Sequence, residues 1–285
     1  MKLLKSKKGL DYAILFMIVT LICLGFLIWQ LNQKDESFTK DIGSAQIGLI
    51  NTQEKADNLL FYLDQSAKYS AYEVADILSQ RGGFADASAS CGSVVDGFVS
   101  WNTCKEYSNI CFPDVFTNFK SVFSDQLNDI YLEQYNSGSF GMKFIKDNYV
   151  FAIHDKKITG TAVQNIESNI QPFQSNEGEY SAGRFAFKPS FSIDFPYDFN
   201  HYFELNKLAN AVVSDCANKF TSFVDVKACA ESNFEDWQNK PIIKKTNKSQ
   251  YIAIEYPVPG FNSLYSGKTY QIRFALCVPW SVPAV

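Results

Sequence analysis

Between Tyr12 and Trp29 about 18 consecutive residues carry no charge and are mostly apolar, close to the roughly 20 a helix needs to cross a bilayer. A helix apolar on every side must be covered, by lipid or by other protein. Lys2, Lys5, Lys7 and Lys8 precede the run and no comparable basic cluster follows it, which predicts a cytoplasmic N-terminus by the positive-inside bias. The exit reads "LIWQLNQKDES", without the small residues of a cleaved secretory signal, so the expectation is a retained signal anchor. On that reading, residues 1–9 are a cytoplasmic basic segment and 10–30 a transmembrane helix. Residues 31–83 are then a long amphipathic helix or stalk, and 84–285 an extracytoplasmic head. The expected location is the cell membrane, single-pass, with membrane lipid as a partner.

The formal charge of −4 is unevenly spread. The four lysines and Asp11 together contribute +3, which leaves −7 for everything else. A part this acidic repels phosphate backbones, which excludes nucleic acid as a partner. The 25 Phe and 15 Tyr argue instead for a substantial core.

The junction "SKKGLDYAILF" resembles the processing site of archaeal type IV pilin-like precursors, a class III signal peptide, over about 20 residues. The resemblance implies a cut after Lys8 and Gly9, with Leu10 becoming the new N-terminus and the apolar helix staying on the mature chain. Asp11 departs from the polar-neutral or apolar residue of that family's second mature position. Ile14 stands where bacterial pilins carry a glutamate. The chain as a whole also resembles uncharacterised single-pass surface proteins of archaea. A plain anchor and a filament subunit both remain open.

Beyond the apolar run, the sequence to Gly82 and Gly83 has no proline, and paired glycines are a natural helix end. Ile42, Leu49, Ala56 and Leu63 recur every seven residues, with Ala45, Thr52 and Leu59 interleaved, an a/d-type stripe. This 42–63 stripe is expected either to pack on the chain's own head or to mediate self-association or contact with an envelope protein.

The head reads as α+β, with helices and antiparallel strands in runs. Pro113 is expected to open a helix whose apolar face carries Val115, Phe116, Phe119, Val122, Phe123, Leu127, Ile130 and Tyr131. "NYVFAIHDKKITGTAV" reads as a hairpin, and "RFAFKPSFSIDF" as a strand interrupted at Pro189. Asp198 precedes a helix through Leu205, Leu208, Ala209, Val212 and Cys216, and a shorter helix runs from Val226 to Trp237. "QYIAIEY" and "TYQIRFALCV" close the chain as strands.

Cys23 lies in the apolar run. The remaining Cys91, Cys104, Cys111, Cys216, Cys229 and Cys277 are even in number, which favours disulfides in an extracellular domain. Cys216 with Cys229 is a local staple and Cys91 with Cys111 the next expected pair, leaving Cys104 and Cys277 paired or free. Zinc is disfavoured, since no C-x-x-C occurs and histidines are few.

Catalytic motifs are absent, among them G-x-S-x-G, H-E-x-x-H and the phosphate-binding glycine loops. His154 beside Asp155 and His201 near Glu204 are the two histidines. Asp194 with Asp198, and Glu177 with Glu179, are carboxylate pairs of the kind glycoside hydrolysis uses. "DFPYDFN" offers oxygen atoms to calcium without a dedicated loop's spacing. Asn247 begins an N-x-S glycosylation acceptor. The expectation is a non-enzymatic structural or interaction protein of the cell envelope, with a filament subunit as one version, and no cofactor. The alternative is a surface-tethered carbohydrate-binding module or hydrolase.

Overall fold

The computed structural model describes residues 7–86, 93–138, 140–154, 156–170, 183–235, 237, 239–264 and 266–280. One helix, α1 (Lys7–Gln80), takes up 74 residues. Lacking proline, it stays helical through Gly43 and Gly48. It ends where Gly82 (φ +62°) and Gly83 (φ +93°) turn left-handed. The Gly83 N–H donates back to the Leu78 carbonyl at 2.7 Å, satisfying one of the helix's last acceptors.

The transmembrane expectation is overturned. Among the described residues, no helix is long and apolar enough to cross a membrane. The span at 10–30, the signal anchor, and the single-pass membrane location with its cytoplasmic N-terminus and extracytoplasmic head are therefore not supported.

The chain divides into two compact units, Met1–Asp57 with Glu167–Phe187 and Asn58–Ile166 with Lys188–Val285. The boundary falls inside α1, between Asp57 and Asn58. In the first unit, α1 is accompanied by a two-stranded sheet of β5 (Ile166–Ile170, its first residue across the boundary) and β6 (Gly183–Phe187). Arg184 pairs with Glu167 at 3.3 Å across it.

The second unit builds its core around residues 58–80 of α1. Along this part Leu59, Leu63, Ala67, Ala71, Val74, Ala75 and Leu78 are fully buried. The stripe follows the straight-helix period and not a strict heptad, so Leu49 is 44% exposed while Gly48, Thr52 and Ala56 are buried. Ile42's side chain lies outside the described residues. Rings lock the helix in place. Tyr62 meets Tyr135 with centroids 4.7 Å apart, and Tyr72 stacks on Phe261 at 4.8 Å and meets Phe195 edge-on.

Two short strands follow, β1 (Val94–Val95) and β2 (Phe98–Val99), then α2 (Val115–Asp125). Asp114, not Pro113, sets the start of α2, its carboxylate accepting from the Thr117 N–H at 3.1 Å. A π-helical stretch at Gln126–Leu132 then interrupts the α period before α3 (Glu133–Ser137). Its wider turn buries Leu127, Asn128 and Leu132 and leaves Ile130 outside, against the α-helical spacing expected. The same stretch docks on α1. The Tyr131 carbonyl accepts from the Tyr62 hydroxyl at 2.9 Å, and the Tyr131 hydroxyl donates to Glu73 at 3.1 Å.

Strands β3 (Tyr149–His154), β4 (Lys157–Ala162) and β7 (Ser190–Asp194) form one antiparallel sheet in the order β3-β4-β7. Pro189 separates β6 from β7 and sends them to different sheets, as a residue without an N–H would. After α4 (Asn200–Cys216) and α5 (Phe223–Ser232) come β8 (Ile242–Lys245), β9 (Tyr251–Asn262) and β10 (Thr269–Cys277), with β9 central. Pro257 is tolerated in β9 because β8 pairs only as far as Glu255. On one face of this sheet Tyr251, Ala253, Ala275 and Cys277 pack under Val95 and Phe98. On the other, Ile252, Ile254, Ile272, Phe274 and Leu276 are buried.

Trp101 joins these parts. Its indole stacks on Phe274 with centroids 3.8 Å apart, and its Nε1–H donates to the Gly82 carbonyl at 3.0 Å. Replacing it with alanine is expected to cost about 3–5 kcal/mol. Gly82→Ala, whose Cβ would come within 2.8 Å of Trp101 Nε1 at a positive φ, costs more than about 1 kcal/mol. Denaturant midpoints read both losses, with the slope of the transition unchanged.

Burial holds the phenols of Tyr149, Tyr197 and Tyr202 above their ordinary 10.0. The Tyr149 hydroxyl is buried without a hydrogen-bond partner, and the Tyr197 and Tyr202 hydroxyls share a bond of 3.1 Å. In the unfolded chain these groups ionise near 10.0, so stability is intact below that pH and is lost as pH climbs through the higher folded values. An alkaline titration is therefore expected to show part of the phenolate absorbance arriving late, together with loss of tertiary circular dichroism.

Candidate functional site

Two surfaces stand out. The first is residues 15–31 of α1. Every large apolar side chain there, from Leu15 round to Leu31, is between 48% and 71% exposed, with no charged residue among them. The exposure runs all round the helix and not along one face. Thr20 does not interrupt it, because its hydroxyl donates to the carbonyls of Phe16 and Met17 at 3.0 and 2.9 Å. Around Gly25 a Cβ would meet nothing within 4 Å, and Cys23 is a free, exposed thiol.

The second lies in the other unit. Asp198 accepts from the Asn200 N–H at 2.9 Å where α4 begins. Helix α4 buries Tyr202, Leu205, Ala209, Val212, Val213 and Cys216, which turns His201, Glu204 and Lys207, three residues apart, along another side. With Trp237, Asn239 and Tyr256 they line a cleft of about 490 Å³. His201 Nδ1 stands 3.7 Å from Glu204 Oε2, beyond hydrogen-bond range. Burial and the Glu204 charge both push the Tyr256 phenol up, so it stays neutral. Among the described lining residues the one hydroxyl is that of Tyr256, and none is a serine, threonine or cysteine.

His154 is placed elsewhere, on a cleft of about 440 Å³ with Lys156, Phe116, Tyr197 and Asp198. Asp155 lies outside the described residues. Asp194 does not join Asp198 there; its exposed carboxylate pairs with Lys157 at 3.7 Å. Glu177 and Glu179 lie outside the described residues. Among the described residues no group of three or more His, Cys, Asp or Glu side chains is arranged to hold a metal ion, "DFPYDFN" included.

Lys8, Gly9 and Leu10, the residues of the expected processing site, lie in the first turn of α1. Cys216 and Cys229 are joined with Cα atoms 5.9 Å apart, tying α4 to α5. Cys104 and Cys277, left open by the sequence, are joined at 5.2 Å, tying the loop before α2 to the end of β10. Cys111 is disulfide-bonded, and its expected partner Cys91 lies outside the described residues. Asn247 is on an exposed turn between β8 and β9, its backbone N–H bonded to Asp96.

A buried charge also has a structural role. Glu255, 6% exposed, takes Lys244 at 2.6 Å and Arg273 at 3.4 Å from the flanking strands. It is neutralised inside the sheet and free for no chemistry. Set against known proteins, the chain matches no family model, no curated protein and no solved structure.

Proposed function

We propose that this chain is a non-enzymatic structural subunit that assembles into a filament through residues 15–31 of α1. The observation that carries the reading is the all-round exposure of that segment. A flat partner surface covers one side of a helix only. A rod apolar on every side is satisfied when several similar rods surround it, and the same segment of other copies matches it in length and chemistry. Each large side chain so buried contributes about 1.5–3 kcal/mol. Gly25 permits close approach of neighbouring helices, as small residues do at helix–helix contacts.

The resemblance of "SKKGLDYAILF" to pilin-like precursors supports the same reading and adds a control. Four lysines on every copy would bring like charges together at the packing end. Removal of residues 1–9 would relieve that repulsion. The disulfides fit an oxidising compartment.

The test is sedimentation velocity with electron microscopy on the detergent-free chain beginning at Leu10. Regular, elongated assemblies are expected, and mild oxidation should link copies through Cys23. Leu24→Lys should leave a dispersed chain whose thermal unfolding matches the parent's. A parent that stays monomeric, or a Leu24→Lys variant that assembles like it, contradicts the reading.

A further inference from the structure

We propose that the cleft formed by His201, Glu204, Lys207, Trp237, Asn239 and Tyr256 is a binding site for a neutral saccharide, a hexopyranose unit of a glycan. This goes beyond the assembly reading and does not depend on it, since the cleft lies wholly within the second unit.

The apolar part of the site is a run of rings. Trp237 meets Tyr256 with centroids 5.0 Å apart at 79°, and Tyr256 meets His201 at 5.7 Å. Phe234 also meets Trp237 in an edge-to-face contact at 87°. Both contacts with Trp237 are edge-to-face, and the indole is partly exposed. A pyranose has one face made of C–H groups, and an indole plane is the side chain best suited to receive it.

The polar part is unspent. The side chains of Glu204, Lys207 and Asn239 make no hydrogen bond to any described residue, and His201 stands beyond hydrogen-bond range of the Glu204 carboxylate. Between them they offer an acceptor, a cationic donor and an amide that does both. That set suits vicinal hydroxyls, each of which donates and accepts. The volume of about 490 Å³ falls in the range of small-molecule sites and holds one or two sugar rings.

Other ligand classes fit less well. An aromatic cage for a quaternary ammonium needs a gap between its rings. In this cleft the rings touch one another, and Lys207 adds a repelling charge. A simple anion would face Glu204. Cleavage of the sugar calls for two opposed carboxylates, and among the described lining residues Glu204 is the one carboxylate.

The experiment titrates the full chain with methyl glucoside, methyl mannoside, methyl galactoside and N-acetylglucosamine, and with choline and acetate alongside. Saturation-transfer NMR and tryptophan fluorescence read binding. At least one sugar should bind and perturb the fluorescence. Trp237→Ala should weaken it by about tenfold or more, which equals roughly 1.4 kcal/mol. Glu204→Gln, at an exposed position, and Asn239→Ala, at a half-buried one, guard against a Trp237 variant that does not fold, and each should weaken the same sugar. Val224→Ala, on an exposed position of α5, should leave binding unchanged. The proposal is overturned if none of the four sugars binds, if binding survives the Glu204 and Asn239 changes, or if choline or acetate alone occupies the cleft.

Discussion

The second unit depends on a contact between one helix and a shell of rings. Without residues 58–80 of α1 and the glycine turn that ends it, Tyr135, Phe195 and Phe261 lose the tyrosines they pack on, and Trp101 loses the Gly82 carbonyl that orients it. The rest follows from seating this helix. The π-helical stretch after α2 places both the carbonyl and the hydroxyl of Tyr131 on α1. Strand β10 reaches it through the Tyr270 hydroxyl, which donates to the Tyr72 carbonyl at 3.0 Å. A helix that serves as core is covered by its own chain, and its small residues, Ala67, Ser70 and Ala71, let the neighbours close on it.

The same helix makes opposite demands along its length. From Leu59 onward one stripe of its apolar side chains is buried against its own unit and Phe61 is left exposed outside it, whereas from Leu15 to Leu31 every large apolar side chain is exposed. The difference is one of pattern. A one-sided stripe, with Lys55, Asp57 and Lys68 outside it, needs only one neighbour, but an uninterrupted run needs neighbours all round. The assembly reading and the saccharide cleft concern different residues, so a filament subunit that also holds a sugar would use each independently.

Much of this architecture is legible in the sequence, and the misses have physical causes. The hairpin of β3 and β4, the break at Pro189 and the closing strands announce themselves by alternation and by a residue that cannot donate a backbone hydrogen bond. The short strands β1, β2 and β8 do not, because two to four residues hold too little pattern and owe their form to neighbours already in place. Ile130 belongs to the core only on an α period, which the π turn breaks. The transmembrane expectation rests on hydropathy alone, which registers that a helix must be covered but not by what. In the cleft, His201 and Glu204 are visible as a pair. Lys207, three residues on, is the further local signal, while Trp237, Asn239 and Tyr256 join them only through tertiary packing that no local spacing records.

Amide hydrogen exchange on the dispersed full chain tests most directly the claim that α1 is the core of the second unit. The amides of residues 59–79 should exchange in the slowest class, together with those of β9 and β10 and through the same global opening. If they exchange well ahead of those strands, the helix is an appendage laid on a sheet that is stable without it, and the claim that α1 organises this unit is contradicted.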